Sequence, residues 1–294
     1  MSERLVILGS KGGPAIRPGG PLPTSSLIEI GGRRIVIDCG LGVSRGLVEA
    51  GMALNQLDII LITHLHSDHV LELGPLLHTA WTSGLNAPVA VFGPVGTKAV
   101  WDGFVASLSY DIDLRIDDEG RPDIRDLVTI SEIGEGVVIE EGGLKIEALR
   151  VEHPPVTECY ALRVSHQGRV VVFSADTAYF QPLSGFARDA DILVHEAMHP
   201  DGVDRLVART GNGERLKAHL LASHTMAADV GRIATDAGVG HLVLNHLVPA
   251  DDPAIAEIHW TEQVRTTWDG QLTISHDGLE LPLPNSNQQQ RKSA

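Results

Sequence analysis

The sequence predicts an α/β fold built as a four-layer αββα sandwich, two β-sheets face to face with helices on both outer sides. Three observations predict it. Short aliphatic runs of strand length alternate with stretches of helical spacing, and that scheme occurs once in each half of the chain. Several runs are joined by Gly-containing turns of hairpin length. Hydrophobic residues make up 43% of the 294 positions, enough for a core of that size.

From the N-terminus, RLVILGS, SSLIEIGG and RRIVIDCG read as strands, and IEIGGRRIVID as a hairpin turning at Gly31-Gly32. A helical stretch follows over 46–53, then the buried strand DIILITH. Leucines and Trp81 recur at helical spacing over 71–83. VAVFGP is a strand, and a helix is expected around 97–108. The acidic run DIDLRIDDEGRPDIRD (111–126) reads as an exposed connection. The second half repeats the scheme: VVIEEGGLKIEALRVEH is a hairpin running into a histidine, and YALRVSHQGRVVVFSAD one running into an aspartate. DILVHEA is a strand, MAADVGRIATDAGV a helix and HLVLNHL a strand. Residues 1–284 are expected to form one domain and 285–294 a disordered polar tail.

Formal net charge is −15, which argues against broad contact with a phosphate backbone. The two cysteines, Cys39 and Cys159, allow one disulfide but no framework of them, and Cys39 reads as a buried structural thiol. The N-terminal apolar run is too short for a signal peptide, and no segment suits a membrane span. A cytoplasmic protein is expected, with a homodimer as the default assembly.

The chemistry gathers in His64-Leu65-His66-Ser67-Asp68-His69, directly after the DIILIT run. In an extended segment His64, His66 and Asp68 point to one side. A helix starting near His69 swings that ring beside Asp68. Imidazole nitrogens and carboxylate oxygens suit a borderline divalent ion such as zinc. Burying them together without a metal or many partners costs several kcal/mol in desolvation and repulsion, on the order of the penalty for unpaired buried ions.

This HxHxDH stretch resembles the signature of the metallo-β-lactamase fold hydrolases. LGSKGGP, IVIDCG and THLHSDH come in that family's order, followed by His153 ending ALRVEH, Asp176 ending VVVFSAD and His246 ending LVLNH. The resemblance implies two divalent metal ions, zinc foremost, with manganese or iron also suited to such donors. His64, His66 and His153 would hold one ion, Asp68, His69 and His246 the other, and Asp176 would bridge both. Such a pair shares a hydroxide that attacks the substrate while the metals hold the developing charge.

LVHEAMH and SHTMAADVGRIA further resemble segments of the branch containing ribonuclease Z, type III arylsulfatases and related phosphodiesterases. By position His224 is the implied general acid and Glu196 its orienting partner. Thr225-Met226 departs from that branch's Ser-Thr. With Asp68, these are the candidate catalytic residues. A phosphodiester, phosphotriester or sulfate ester is the expected substrate; a carboxylic ester, lactone or cyclic amide is the alternative, and a mono-iron redox enzyme the alternative of another class. No basic, glycine-rich arm is visible, and the 111–126 run is acidic. The expected partner is therefore a small molecule, with no nucleic acid and no membrane. Trp81, Trp101, Phe104, Tyr110, Tyr179, Phe180 and Trp260 are pocket candidates, each more readily explained as core, and Met198-His199-Pro200 is a candidate for the pocket mouth.

Overall fold

The structure is a computed structural model and describes residues 3–211 and 213–284; the polar tail expected over 285–294 lies outside them. The first half contains β1 (Arg4–Gly9), β2 (Ser25–Ile30), β3 (Arg33–Ile37), α1 (Val43–Glu49), β4 (Ile59–Leu61), α2 (Ser67–Val70), α3 (Leu73–Thr82), β5 (Val89–Gly93), α4 (Thr97–Glu119), α5 (Ile124–Leu127) and β6 (Val128–Glu132). The second contains β7 (Gly136–Glu141), β8 (Leu144–Arg150), β9 (Tyr160–His166), β10 (Arg169–Phe173), α6 (Pro182–Phe186), β11 (Ile192–Met198), α7 (Pro200–Thr210), α8 (Gly213–Ser223), α9 (Ala227–Ala237), β12 (His241–Val248), α10 (Glu257–Val264), β13 (Gln271–Ile274) and β14 (Leu279–Pro282).

These strands form two seven-stranded sheets, ordered β14-β1-β2-β3-β4-β5-β6 and β13-β12-β11-β10-β9-β8-β7. Each is antiparallel at one end, where hairpins join neighbours, and parallel where helices make the crossovers. The hairpin expected at Gly31-Gly32 is present, both glycines having the positive φ its turn requires. Alternate residues of the strands face inward, so Leu5, Ile7, Ile28, Ile35, Ile59 and Val171 meet between the sheets. A second apolar layer packs α1, α3 and α4 on the outside of the first sheet around Leu47, Leu76, Trp81 and Ile112. A third packs α6, α9 and α10 outside the second around Leu183, Ile233 and Trp260. That is the four-layer sandwich.

The acidic run 111–126 is not an exposed connection. Most of it is the second half of α4, which continues to Glu119. Apolar positions at helical spacing, Trp101, Phe104, Leu108, Ile112 and Ile116, carry one face of that helix into the core through the acidic residues. The charges stand on the other face, joined by pairs such as Asp111–Arg115 and Arg115–Glu119 at i,i+4. Cys39 and Cys159 are both free and buried, so the possible disulfide is not formed. Among the described residues no helix is long and apolar enough to cross a membrane.

Candidate metal centre

Seven of the predicted residues converge at one end of the sandwich. β4 delivers His64 three residues past its last position, His66 is extended, and the chain turns into α2 at Ser67. Asp68 and His69 therefore sit in a helical turn, Asp68 one step earlier than an extended reading places it. His153 and Asp176 lie in loops, each three residues beyond the end of its strand. His246 is inside β12. Glu196 pairs with Asn245 and Ala197 with Leu247, so His246 is the extra residue of a β-bulge, at φ 44°. The bulge re-aims its side chain toward the other ligand candidates. Asp38 and Ala175 also adopt positive φ, 61° and 55°, beside the site. Left-handed backbone at non-glycine residues is costly and gathers at functional sites.

One set of potential ligand atoms comes from His64, His66, His153 and Asp176, another from Asp68, His69, Asp176 and His246, and within each set they lie within 4.8 Å of one another. Nε2 of His64 and Nε2 of His153 each stand 3.0 Å from Nδ1 of His66. His153 Nδ1 is 2.9 Å from the Ser223 carbonyl oxygen and donates to it, leaving Nε2 as a bare lone pair. His69 Nδ1 lies 2.7 Å from Asp38 Oδ2, which likewise turns the lone pair of Nε2 inward. That Nε2 and Asp176 Oδ1 are buried, have no hydrogen-bond partner and stand 3.4 Å apart. Facing acceptors and orphaned buried atoms are what a donor set made for cations looks like. The residues fit divalent metal ions.

Burial pushes the Asp176 carboxyl up, but His246 and His69 outweigh it and hold it well below the usual carboxylate range. Burial drives His64 well below the ordinary histidine value and His153 down to about 4. Both rings are thus neutral at physiological pH, the form in which an imidazole can bind a cation.

His224 lies between α8 and α9, buried, with its Nδ1 3.0 and 3.1 Å from the two oxygens of Glu196. Glu196 also accepts from the Thr177 N–H at 2.7 Å. Burial disfavours the charged ring, yet Glu196 wins and raises its pKa to about 9. The ring is stacked 5.6 Å from that of His246, which puts the pair beside the metal-ligand candidates.

A cavity of about 450 Å³ opens above the cluster, lined by His66, Asp68, Asp176, His224 and His246 on its floor and by Lys11, Arg17, Leu216 and His219 on its walls. None of the seven aromatic candidates lines it. Trp81, Trp101 and Trp260 are core, and Tyr110 is exposed. Met198 and His199 are buried away from it. Three contributors were missed by sequence reasoning. Asp38 had a signal, an acid at the end of IVIDCG beside the parallel strand that feeds His64. Lys11 stood in LGSKGGP without one, and His219 needed α8 to be known.

A family model described as anti-Pycsar protein Apyc1 matches residues 5–204. Ribonuclease Z of Mycolicibacterium gilvum is 33% identical over 267 residues, 90% of each chain. Among solved structures, the metallo-β-lactamase fold protein YhfI from Bacillus subtilis has a TM-score of 0.69 at 22% identity, covering 96% of this chain and 99% of its own. Human tRNase Z, short form, has a TM-score of 0.65 at 18% identity, covering 96% and 100%.

These relatives overturn the expectation of a small-molecule partner with nucleic acid excluded, since the matched curated proteins are named ribonuclease Z. The physical reason is that net charge is a whole-surface sum. The acidic residues of α4 contribute nothing to the cavity lining, whereas Lys11 and Arg17 do. With its fold, its donor cluster and these matches, the chain belongs to the metallo-β-lactamase fold hydrolases, in the family described as anti-Pycsar protein Apyc1 and with ribonuclease Z relatives, and it is a metal-dependent hydrolase.

Proposed function

We propose that the chain is a dinuclear phosphodiesterase acting on nucleotide phosphodiesters, with zinc as its metal. His64, His66, His153 and Asp176 would hold one ion, and Asp68, His69, His246 and Asp176 the second. The observation that carries this reading is the meeting, at and beneath one cavity floor, of two four-residue donor sets sharing Asp176 with a His–Glu pair beside them. Ions held there would activate water and take up charge on the phosphoryl oxygens. The name of the ribonuclease Z relatives supports a nucleotide diester as substrate.

His224 has the role of general acid. Glu196 occupies its Nδ1, so Nε2 is the nitrogen left to face the leaving oxygen, and the raised pKa keeps a proton there at neutral pH. Gly13 donates its N–H to Asp68 Oδ2 at 2.7 Å, and Asp38 orients His69. Both hold a ligand candidate in place.

The test joins metal analysis of untagged protein to a hydrolysis panel: bis-p-nitrophenyl phosphate, a short RNA with a 3′ extension, p-nitrophenyl sulfate and p-nitrophenyl acetate. About two zinc ions per chain, as a two-metal site requires, and selective cleavage of the phosphodiesters are expected. Faster turnover of the sulfate or acetate, or a single ion sustaining full activity, refutes the reading.

A further inference from the structure

Lys11 has an unusual position in a chain with net charge −15. It follows β1, is only 5% exposed, and lines the cavity above the metal-ligand candidates. Its Nζ donates to the carbonyl oxygens of Gly12 and Gly13 at 3.2 and 3.0 Å. Both acceptors are uncharged, and an ammonium has three N–H donors, so one remains for a ligand. Burial lowers its pKa, against the pull of Asp251 and Asp68.

Apart from the metal-ligand candidates Asp68 and Asp176, the charged residues of the cavity lining are two cations, Lys11 and Arg17, and one acid, Asp251. Arg17 Nε is 2.7 Å from Asp251 Oδ2, and Arg209 of α7 pairs with the same carboxylate. Lys11, Arg17 and Arg209 thus share one neutralising group. Asp68, the other nearby acid, belongs to a donor set that suits a cation. Holding a lysine in such a place costs desolvation that uncharged carbonyls repay only in part. An anion entering the cavity would complete the set.

We propose that Lys11, backed by Arg17, forms an anion subsite that binds a second phosphate of the substrate, next to the one that is cleaved. The preferred substrate is then a phosphorylated oligonucleotide or similar polyanion rather than an isolated diester. This rests on the phosphodiesterase reading for its catalytic consequence, though not for the binding itself.

The test uses the metal-loaded full chain and three dinucleotides: uridylyl-uridine, and the same compound with a 5′- or a 3′-terminal phosphate. Wild type is expected to show kcat/KM at least about tenfold higher for one phosphorylated form, the scale of one hydrogen bond to a charged group. Lys11→Met should collapse that ratio toward one, Lys11→Arg should keep it and Arg17→Gln should narrow it. A merely structural lysine would slow all three substrates alike and leave the ratio where it was, which would overturn the proposal. So would a wild type with no preference. If no dinucleotide is cleaved, bis-p-nitrophenyl phosphate and the short RNA decide the phosphodiesterase reading, which fails if they too stay intact, and calorimetry with pyrophosphate decides the subsite. Binding at least about fivefold weaker in Lys11→Met upholds it, and equal binding removes it.

Discussion

Asp38 and His69 are joined across the site, the carboxylate Oδ2 lying 2.7 Å from the ring Nδ1. Asp38 also accepts from the Thr63 N–H and hydroxyl at 2.8 and 2.9 Å, which pins it to the strand end that delivers His64. Carboxylates placed behind a ligating histidine fix its tautomer and strengthen it as a donor. Asp38→Asn keeps a residue that tolerates the left-handed backbone and removes the charge. Zinc affinity, measured by competition with a chromophoric chelator, should fall about 10- to 100-fold. Unchanged affinity would strip Asp38 of its orienting role.

The His224–Glu196 pair gives a pH signature. Burial opposes the charged ring, but Glu196 raises its pKa to about 9. A general acid works only while protonated, so turnover of diesters with poor leaving groups should hold at neutral pH and decline as pH rises through about 9, where His224 loses its proton. Glu196→Gln should move that limb to lower pH. His224→Ala should slow such substrates about 10²- to 10⁴-fold and p-nitrophenolate esters far less. The stability contributed by the pair has the same sign: complete below the ordinary histidine value, lost as pH climbs through the raised one. Equal losses on good and poor leaving groups would contradict the acid role.

The HxHxDH stretch was legible because its information is local. Alternation along a strand end followed by a helical turn can be read from six residues. His246 was legible by order but not by mechanism. Its aim depends on a bulge against β11, a register relation between distant segments that no window on either strand contains. The helical hairpin α7–α8 and its His219 went unread for a related reason. The helices themselves carried a signal, since Val203, Leu206 and Val207 on α7 and Leu216 and Leu220 on α8 stand at helical spacing and pack together, but where His219 ends up depends on how α8 returns over the ligand candidates, which no local window contains. Lys11 shows the opposite failure. A lone lysine among glycines is uninformative until the fold sets it beside two aspartates and two arginines.

Gly12 ties the N-terminal loop to the bulged histidine. A Cβ there would come 2.9 Å from the His246 ring and 2.5 Å from Val248 Cγ2. Neither neighbour is free to retreat, because both belong to β12. Gly12→Ala should push His246 out of line, cost roughly 1–3 kcal/mol through overpacking, and weaken the second metal more than the first. Stepwise zinc titration followed by calorimetry would show it as selective loss of the Asp68–His69–His246 site. Two sites with wild-type affinities would mean that the loop gives way instead.

The acidic half of α4 supplies a test of the fold itself. Ile112 is fully buried among residues of that stretch, while Asp113, its neighbour, pairs with Arg125 at the surface. If the run were an exposed connection, replacing either would cost little. As a packed helix face, Ile112→Ala leaves a cavity in the layer outside the first sheet and should lower stability by about 2–5 kcal/mol. Asp113→Ala should cost under about 1 kcal/mol, because an exposed ion pair contributes little against side-chain entropy and screening. Urea unfolding of the two variants with metal present at fixed concentration reads both numbers. Comparable small effects would mean that the acidic residues do not carry this helix into the core.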